Sequence, residues 1–260
     1  MDSKISKADL KLEKIASEKR IKDNDELKVS SDIFDKQTLE TLYKLGKQPY
    51  LDLLNGEIST GKEANVLLGI KEDSSFVVVK IYRIATSDFK KMQYYIQGDP
   101  RFKIRTHNKR QLINAWVNKE FRNLNRAYEK NVSIPKPIVA MNNVLLLEFI
   151  GDEDGNPSQP VKNQKPEDPD DFLDKILFEL NKFIHDAKLI HGDFSNFNIL
   201  NHNQYPVIID VSQSVVLDHP IAPELLDRDI LNIHNEFNKL KVKISIDEIK
   251  EKINYDKIFK

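Results

Sequence analysis

His191, Gly192 and Asp193 precede Asn198 with the spacing D-x-x-x-x-N, and Asp210 follows twelve residues later at the end of the apolar run PVIID, 206–210. Phosphoryl transfer asks for such a set. One carboxylate, Asp193, orients or deprotonates an attacking hydroxyl; an amide oxygen and a second carboxylate, Asn198 and Asp210, hold Mg²⁺ (or Mn²⁺) against phosphates. Loop capping would also employ Asp193 and Asn198. Oxygen donors suit a hard cation, whereas six scattered His and no Cys offer little to zinc. Lys80 closes the run FVVVK, 76–80. An ammonium there is costly to bury unless it meets an anion, and its place matches a strand lysine that contacts the α and β phosphates. An edge lysine reaching water is the plain alternative. Glu120 falls among Trp116, Val117 and Leu124 on an apolar stripe. A carboxylate so placed wants a cation, for which Lys80 is the candidate, unless it lies on the solvated edge of that stripe.

The segment GEISTGKE, 56–63, fits G-x-x-x-x-G-K but ends in Glu63, where a Walker loop has Ser or Thr. The following ANVLLGI reads as a strand, whereas a Walker loop opens a helix. A better fit is a turn at Gly56 between two strands that covers phosphates with backbone N–H groups, as the kinase Gly-rich loop does, with Ile58 replacing the middle glycine. A plain hairpin would use the same residues.

These residues need elements to hold them. Leu39, Leu42 and Leu45 predict a helix over 35–45 that stops at Gly46. LDLLNGEISTGKEANVLLGI reads as strand, turn, strand, and FVVVKIY, 76–82, as a buried strand. From Tyr82 to about Asn108 the pattern is irregular, and a connection of that length is usually functional or mobile. Ile113, Trp116, Val117, Phe121, Leu124 and Tyr128 predict a helix over 109–130. VLLLEFI, 144–150, reads as a strand, 151–170 as a loop, and Phe172, Ile176, Leu180, Phe183 and Ile184 as one face of a second helix. The tail, 224–260, reads as two or three short helices, and residues 1–30 as a frayed helix or disordered arm. A β-rich first half and a helical second half predict an α+β protein of two lobes.

Composition bounds the rest. The chain has 260 residues, and 40 basic against 41 acidic residues leave a formal charge of −1, which gives no global argument for nucleic acid. The charge is segregated: 81–110 carries eight basic and two acidic residues, 151–174 eight acidic and two basic. Such blocks steer charged partners or simply face water. No apolar run approaches 18 residues and the first twenty lack an apolar core, so neither a membrane helix nor a secretory signal is expected. The absence of Cys agrees with a reducing cytoplasm, the expected location.

STGKEANV (59–66), TSDFKKMQYYIQGDPRF (86–102), KEFRNL (119–124), LLLEFIG (145–151) and IDVSQSV (209–215), taken together and in this order, resemble the RIO family of atypical serine/threonine protein kinases. The resemblance runs from about Val29 to Leu240. It favours the type-one branch, because the second branch carries an N-terminal winged-helix domain and only about 47 residues precede the turn strands here. It implies a trimmed two-lobed kinase fold: an N-terminal extension over 1–47, an N-lobe over 48–147 with a flexible insertion at 83–110, and a C-lobe over 148–260. ATP would lie between the lobes, under Ser59, Thr60, Gly61, Lys62 and Val66. Lys80 would contact its phosphates and pair with Glu120. Glu148 and Ile150 would offer backbone groups to adenine, Asp193 would be the base, and Asn198 and Asp210 the metal ligands. The family further implies that Asp210 can accept the γ-phosphate as an aspartyl phosphate, and that the protein serves maturation of the small ribosomal subunit. The basic, Tyr- and Phe-bearing segment 81–110 suits contact with pre-ribosomal RNA or protein, and equally suits folding over ATP or binding an acidic protein.

Two features depart from ordinary protein kinases. Asp210-Val211-Ser212 stands where they have D-F-G, and Ala222-Pro223-Glu224 lies too close to Asp210 to close a long activation loop. A small-molecule kinase of the aminoglycoside or choline type shares H-G-D-x-x-x-x-N, but has no reason to carry STGKEANV or VSQSV. An assembly factor switched by ATP, with little kinase turnover, is the third reading.

Overall fold

The computed structural model describes residues 34–85, 87–102 and 108–259. The arm at 1–30, Thr86, Lys103 and Arg105 lie outside them.

Alternation along β3 (Phe76–Tyr82) decides the first half. Successive side chains of a strand point to opposite faces. Val77, Val79 and Ile81 therefore share one face, where they pack with Leu42, Leu45, Val144 and Leu146. Val78, Lys80 and Tyr82 share the other. Strands β1 (Leu53–Thr60), β2 (Ala64–Ile70), β3, β4 (Pro137–Met141) and β5 (Val144–Glu148) form one antiparallel sheet in the order β1-β2-β3-β5-β4. Helix α1 (Lys36–Leu45) covers its outer face, started by Asp35, whose carboxylate accepts the Thr38 N–H at 3.0 Å.

Gly56 does not make the turn expected of it. It lies inside β1, where the pairing register shifts between Leu54 and Glu57, and the turn falls at 61–63. The stretch after Tyr82 also holds more order than its pattern suggests. Helix α2 (Phe89–Gln97) forms there, started by Asp88, which accepts the Lys91 N–H at 3.0 Å, and buries Met92, Tyr95 and Ile96.

Helix α3 (Lys109–Tyr128) joins the halves. Its Ile113, Trp116, Val117 and Leu124 belong to one apolar core that continues into Phe172, Ile176 and Phe183 of the second half. That half is less purely helical than expected. It contains α4 (Pro169–Asn181), running on into a π-turn at Lys182–Asp186, and α5 (Ala222–Lys239), α6 (Ile246–Lys252) and a 3₁₀ turn at Tyr255–Lys257. It also holds a three-stranded sheet of β6 (Gln159–Pro160), β8 (Ile199–His202) and β9 (Tyr205–Ile208), and a ribbon of β7 (Leu189–Ile190) with β10 (Val215–Val216). The loop predicted at 151–170 thus supplies a short strand, and the tail opens with one long helix. No helix among the described residues is long and apolar enough to cross a membrane.

Candidate active site

The sheet face opposite α1 supplies the upper wall of a cleft. Lys80, 8% exposed, donates from Nζ to Glu120 Oε1 at 2.8 Å and to Asp210 Oδ1 at 3.0 Å. Tyr82, two residues on and so on the same face, donates its hydroxyl to Glu120 Oε2. Burial alone would lower the lysine's pKa; Asp210 and Glu120 beside it reverse that and hold it well above the ordinary value. Burial pushes the Glu120 carboxyl up, with Lys80 pulling against it. The strand lysine is therefore charged and shared between two acids.

The lower wall is the loop between β7 and β8. Gly192 turns it at φ +77°, a conformation side chains rarely adopt. An added Cβ would also stand 3.1 Å from Leu225 Cδ1. Asp193 accepts from Gln213 Nε2 at 2.7 Å, and burial raises its carboxyl above the ordinary range against the pull of Lys91. Asn198 donates from Nδ2 to the Asp193 carbonyl at 2.9 Å, which turns its Oδ1 the other way. Asp210 follows β9 with φ 56°, a left-handed conformation that Asp tolerates better than most residues. Its side chain is 43% exposed. Burial of its surroundings would raise its carboxyl, but Lys80 and the Ser212 hydroxyl, 2.8 Å from Oδ1, lower it to about 2. Oδ1 of Asp210 is spent on those two donors.

Between the walls lies a cleft of about 350 Å³. Ser59, Val66, Lys80, Glu120, Glu148, Ile150, Asn198 and Asp210 all line it. Thr60, Gly61 and Lys62 stand beyond the lining, at the end of β1 and in the turn, which closes with the Gly61 N–H donating to the Ala64 carbonyl at 2.9 Å. Asp193 also lies outside the lining, joined to it through Asn198. The Glu148 carboxylate is occupied by the Lys136 N–H at 2.9 Å, and the Ile150 carbonyl accepts from the Ser158 N–H at 3.0 Å.

The donor set fits a hard divalent cation. Asn198 Oδ1 and the Asp210 carboxylate are two oxygens, and no cluster of three His, Cys, Asp or Glu suited to a metal occurs among the described residues. Mg²⁺ is commonly held in this way, by one or two protein oxygens plus phosphate and water.

Comparison with known proteins agrees with the geometry. The model of the RIO domain matches residues 65–250. A RIO-type serine/threonine-protein kinase Rio1 of Haloferax volcanii is 42% identical over 220 residues, covering 85% of this chain and 75% of its own. Its namesake in Methanocaldococcus jannaschii is 42% identical over 234 residues, covering 90% and 80%. The chain belongs to the RIO family, on its Rio1 branch. Among solved structures, a Rio2 kinase–ADP/Mg²⁺–phosphoaspartate complex from Chaetomium thermophilum superposes with a TM-score of 0.63 at 23% identity, over 84% of this chain and 66% of that one. The fold is therefore the trimmed two-lobed kinase fold.

Two residues at the candidate site, Asp229 and Arg228, escaped the motif reading. Asp229, fully buried on α5, accepts the N–H groups of Gly192 at 2.7 Å and Phe194 at 3.0 Å, and so clamps the loop on both sides of Asp193. Burial raises its carboxyl to about 7 against the pull of those two donors. Arg228 beside it donates to the Gly192 carbonyl and to the Tyr95 hydroxyl of α2. His191, which the motif did include, is fully buried, accepts the Asp193 N–H at Nδ1 and faces the Ile209 carbonyl with Nε2 at 3.1 Å. Burial lowers it to about 4, so the ring is neutral. Asp229 carries a legible signal: it lies with Leu225, Leu226, Ile230 and Ile233 in one buried stripe of α5, as Glu120 does on α3.

Proposed function

We propose that this chain transfers the γ-phosphoryl group of ATP, with Mg²⁺ or Mn²⁺, to serine or threonine hydroxyls of a protein or to water. One observation carries the reading. Lys80 bridges Glu120 at 2.8 Å and Asp210 at 3.0 Å, so an ammonium from one lobe meets a carboxylate of the other at the cleft. A triphosphate entering there would find that ammonium in place, with Ser59, Thr60, Gly61, Lys62 and Val66 on the strands and turn above. Backbone groups of Glu148 and Ile150 would face the base. Asn198 and Asp210 would hold the cation, which supplies neutralisation of phosphate charge when bound.

The incoming hydroxyl oxygen bonds to the γ-phosphorus, its proton passes to the Asp193 carboxylate, and the P–O bond bridging the β and γ phosphates breaks to release ADP. Burial raises the Asp193 carboxyl above its ordinary value and so makes it a stronger base than an exposed carboxylate. Asp210 is a second acceptor. It is held ionised at about 2, it is partly exposed, and a structurally similar Rio2 is described as a phosphoaspartate complex. Attack by its carboxylate on the γ-phosphorus breaks the β–γ bridging P–O bond, releases ADP and leaves an acyl phosphate; water later cleaves that to phosphate and the free carboxylate, completing an ATPase cycle.

Asp193→Ala tests the reading. Phosphoryl transfer should fall about 10²- to 10⁴-fold while MgADP still binds; a variant with full autophosphorylation and ATPase activity refutes it. Hydroxylamine after acid quench then separates the two acceptors, because an acyl phosphate at Asp210 is labile and a serine phosphate is not.

We further propose a role in small ribosomal subunit maturation, supported by the family resemblance and by basic and aromatic groups on α2. Lys91 and Tyr94 of that helix are 41% and 51% exposed, Lys91 with its Nζ 4.0 Å from Glu63 Oε1. Other cations of the segment are engaged within the chain: Arg101 with Asp99, Arg110 with Asp35, Arg83 with Asn65. Salt-dependent binding of small-subunit rRNA, lost in Lys90→Glu/Lys91→Glu, would support the role; binding indifferent to both changes would remove this surface from it.

A further inference from the structure

Four residues follow Asp210 before β10 begins, 211–214, and every one is held. Lys119, fully buried on α3, donates to the carbonyls of Ser212 at 2.8 Å and of Ser214. Asn123, one turn further along α3, donates to the carbonyls of Val211 and Ser214, each at 2.9 Å. The Ser214 hydroxyl donates to the His191 carbonyl at 3.0 Å, fastening the segment to the loop that bears Asp193. Gln213 sits between the two most heavily pinned residues and is itself only 8% exposed. A glutamine that loses its freedom on burial gives up about 1.5–2 kcal/mol of rotamer entropy. Its amide is directed at one atom, Asp193 Oδ2, at 2.7 Å.

Asn198 Nδ2 stands 3.4 Å from that same oxygen, so both amides approach Oδ2. Oδ1 takes no hydrogen bond among the described residues. We infer that Gln213 is a positioning residue for phosphoryl transfer: its rigidly mounted amide occupies Oδ2 of Asp193 and so presents Oδ1 to the hydroxyl that attacks. The inference rests on Asp193 being the base. In the transfer step the hydroxyl proton passes to Oδ1 as the new O–P bond forms and the bond to ADP breaks. Without Gln213 only the long 3.4 Å approach of Asn198 remains at Oδ2, so the carboxylate rotates more readily and the aligned fraction falls while the nucleotide site keeps its shape. Geometry of this kind governs the chemical step rather than uniform binding.

The test uses the whole chain with Gln213→Met, which keeps length and loses the donor, and Gln213→Glu, which keeps shape and sets an acceptor against the carboxylate. For both, kcat of autophosphorylation should fall about 10- to 100-fold, with the KM for ATP and the affinity for MgADP within about twofold of wild type. Either variant serves if the other fails to fold, judged by its melting midpoint. In an Asp193→Asn background, single-turnover measurement should show no further loss from Gln213→Met, since a residue acting only through Asp193 is silent once the base is gone. Three results overturn the inference: kcat within twofold of wild type, a parallel loss of MgADP affinity, or an equal loss in the Asp193→Asn background. A wild-type chain that binds MgADP yet transfers no phosphoryl group overturns the proposed function, and this inference with it.

Discussion

The two walls of the cleft are built on different principles. The upper wall delivers its charge through one side chain, Lys80, whose partners are a buried acid on α3 and an acid from the opposite wall. Its turn at 61–63 is largely exposed. The lower wall relies on many weak constraints on backbone: Asp229, Arg228, His191, Lys119 and Asn123 each grip a main-chain group of the segments that carry Asp193 or follow Asp210. A group that meets a mobile triphosphate need only supply charge, whereas a base and its metal ligands must be held to a fraction of an ångström. The difference teaches where precision is required: binding above, chemistry below.

If that contrast is right, the largest effect belongs to the lower wall. Asp193→Ala should cost about 10²- to 10⁴-fold in kcat, measured as γ-phosphate transfer, with MgADP affinity within a few-fold. A drop confined to affinity would invert the contrast. For the upper wall, Lys80→Met strands Glu120 as a buried acid without its cation. We expect a loss of about 3–5 kcal/mol in urea unfolding, as for other broken buried pairs. Adding Glu120→Gln should restore much of the stability and none of the activity. Full recovery of both would show that the joint is merely structural.

Acid–base titration offers a finer comparison within the lower wall. His191 is lowered from 6.5 to about 4, so the unfolded chain binds more protons in that range, and this contribution to stability is lost as pH falls through it. Asp229 is raised from 3.8 to about 7, so the folded chain binds more protons there, and its contribution is lost as pH rises through it. Each is worth on the order of 3 kcal/mol, and they oppose each other between about pH 4 and 6.5. Urea midpoints across that interval should therefore fall with rising pH in His191→Asn and rise with it in Asp229→Asn, relative to wild type. Parallel curves for all three proteins would contradict both assignments. The smallest effect belongs to Gly56→Ala. An added Cβ there meets nothing within 4 Å, so the KM for ATP should stay within about twofold of wild type. A tenfold rise would return Gly56 to the phosphate turn.

The sequence exposed chemistry more readily than architecture. Asp193, Asn198 and Asp210 are legible because the proposed metal and base would need fixed residue types at short spacing, and Lys80 because a charge ending an apolar strand is rarely idle. The cleft does bring Lys80, Glu120, Asn198 and Asp210 together. Helix α2 was obscured by the charged residues around it, although Met92, Tyr95 and Ile96 recur at helical spacing between an Asp cap and Gly98. Gly56 misled because glycine serves a strand irregularity as readily as a turn. Gln213, Lys119 and Asn123 lie within KEFRNL and IDVSQSV, yet nothing local there marks what each one holds. Their partners are main-chain carbonyls or a carboxylate about 20 to 95 positions away, and a one-dimensional pattern records spacing along the chain, not across it.

One close approach has a mechanical meaning. A Cβ added at Gly98 would come within 2.4 Å of the His219 ring, so the end of α2 is pressed against the bend that precedes α5. The halves thus meet on the far side as well, where α2 rests on that bend, besides the core that α3 shares with the second half and the loop after Glu148. A body held at several points does not swing like a book; to widen the crevice, it must either slide the support at α2 along or lift it away.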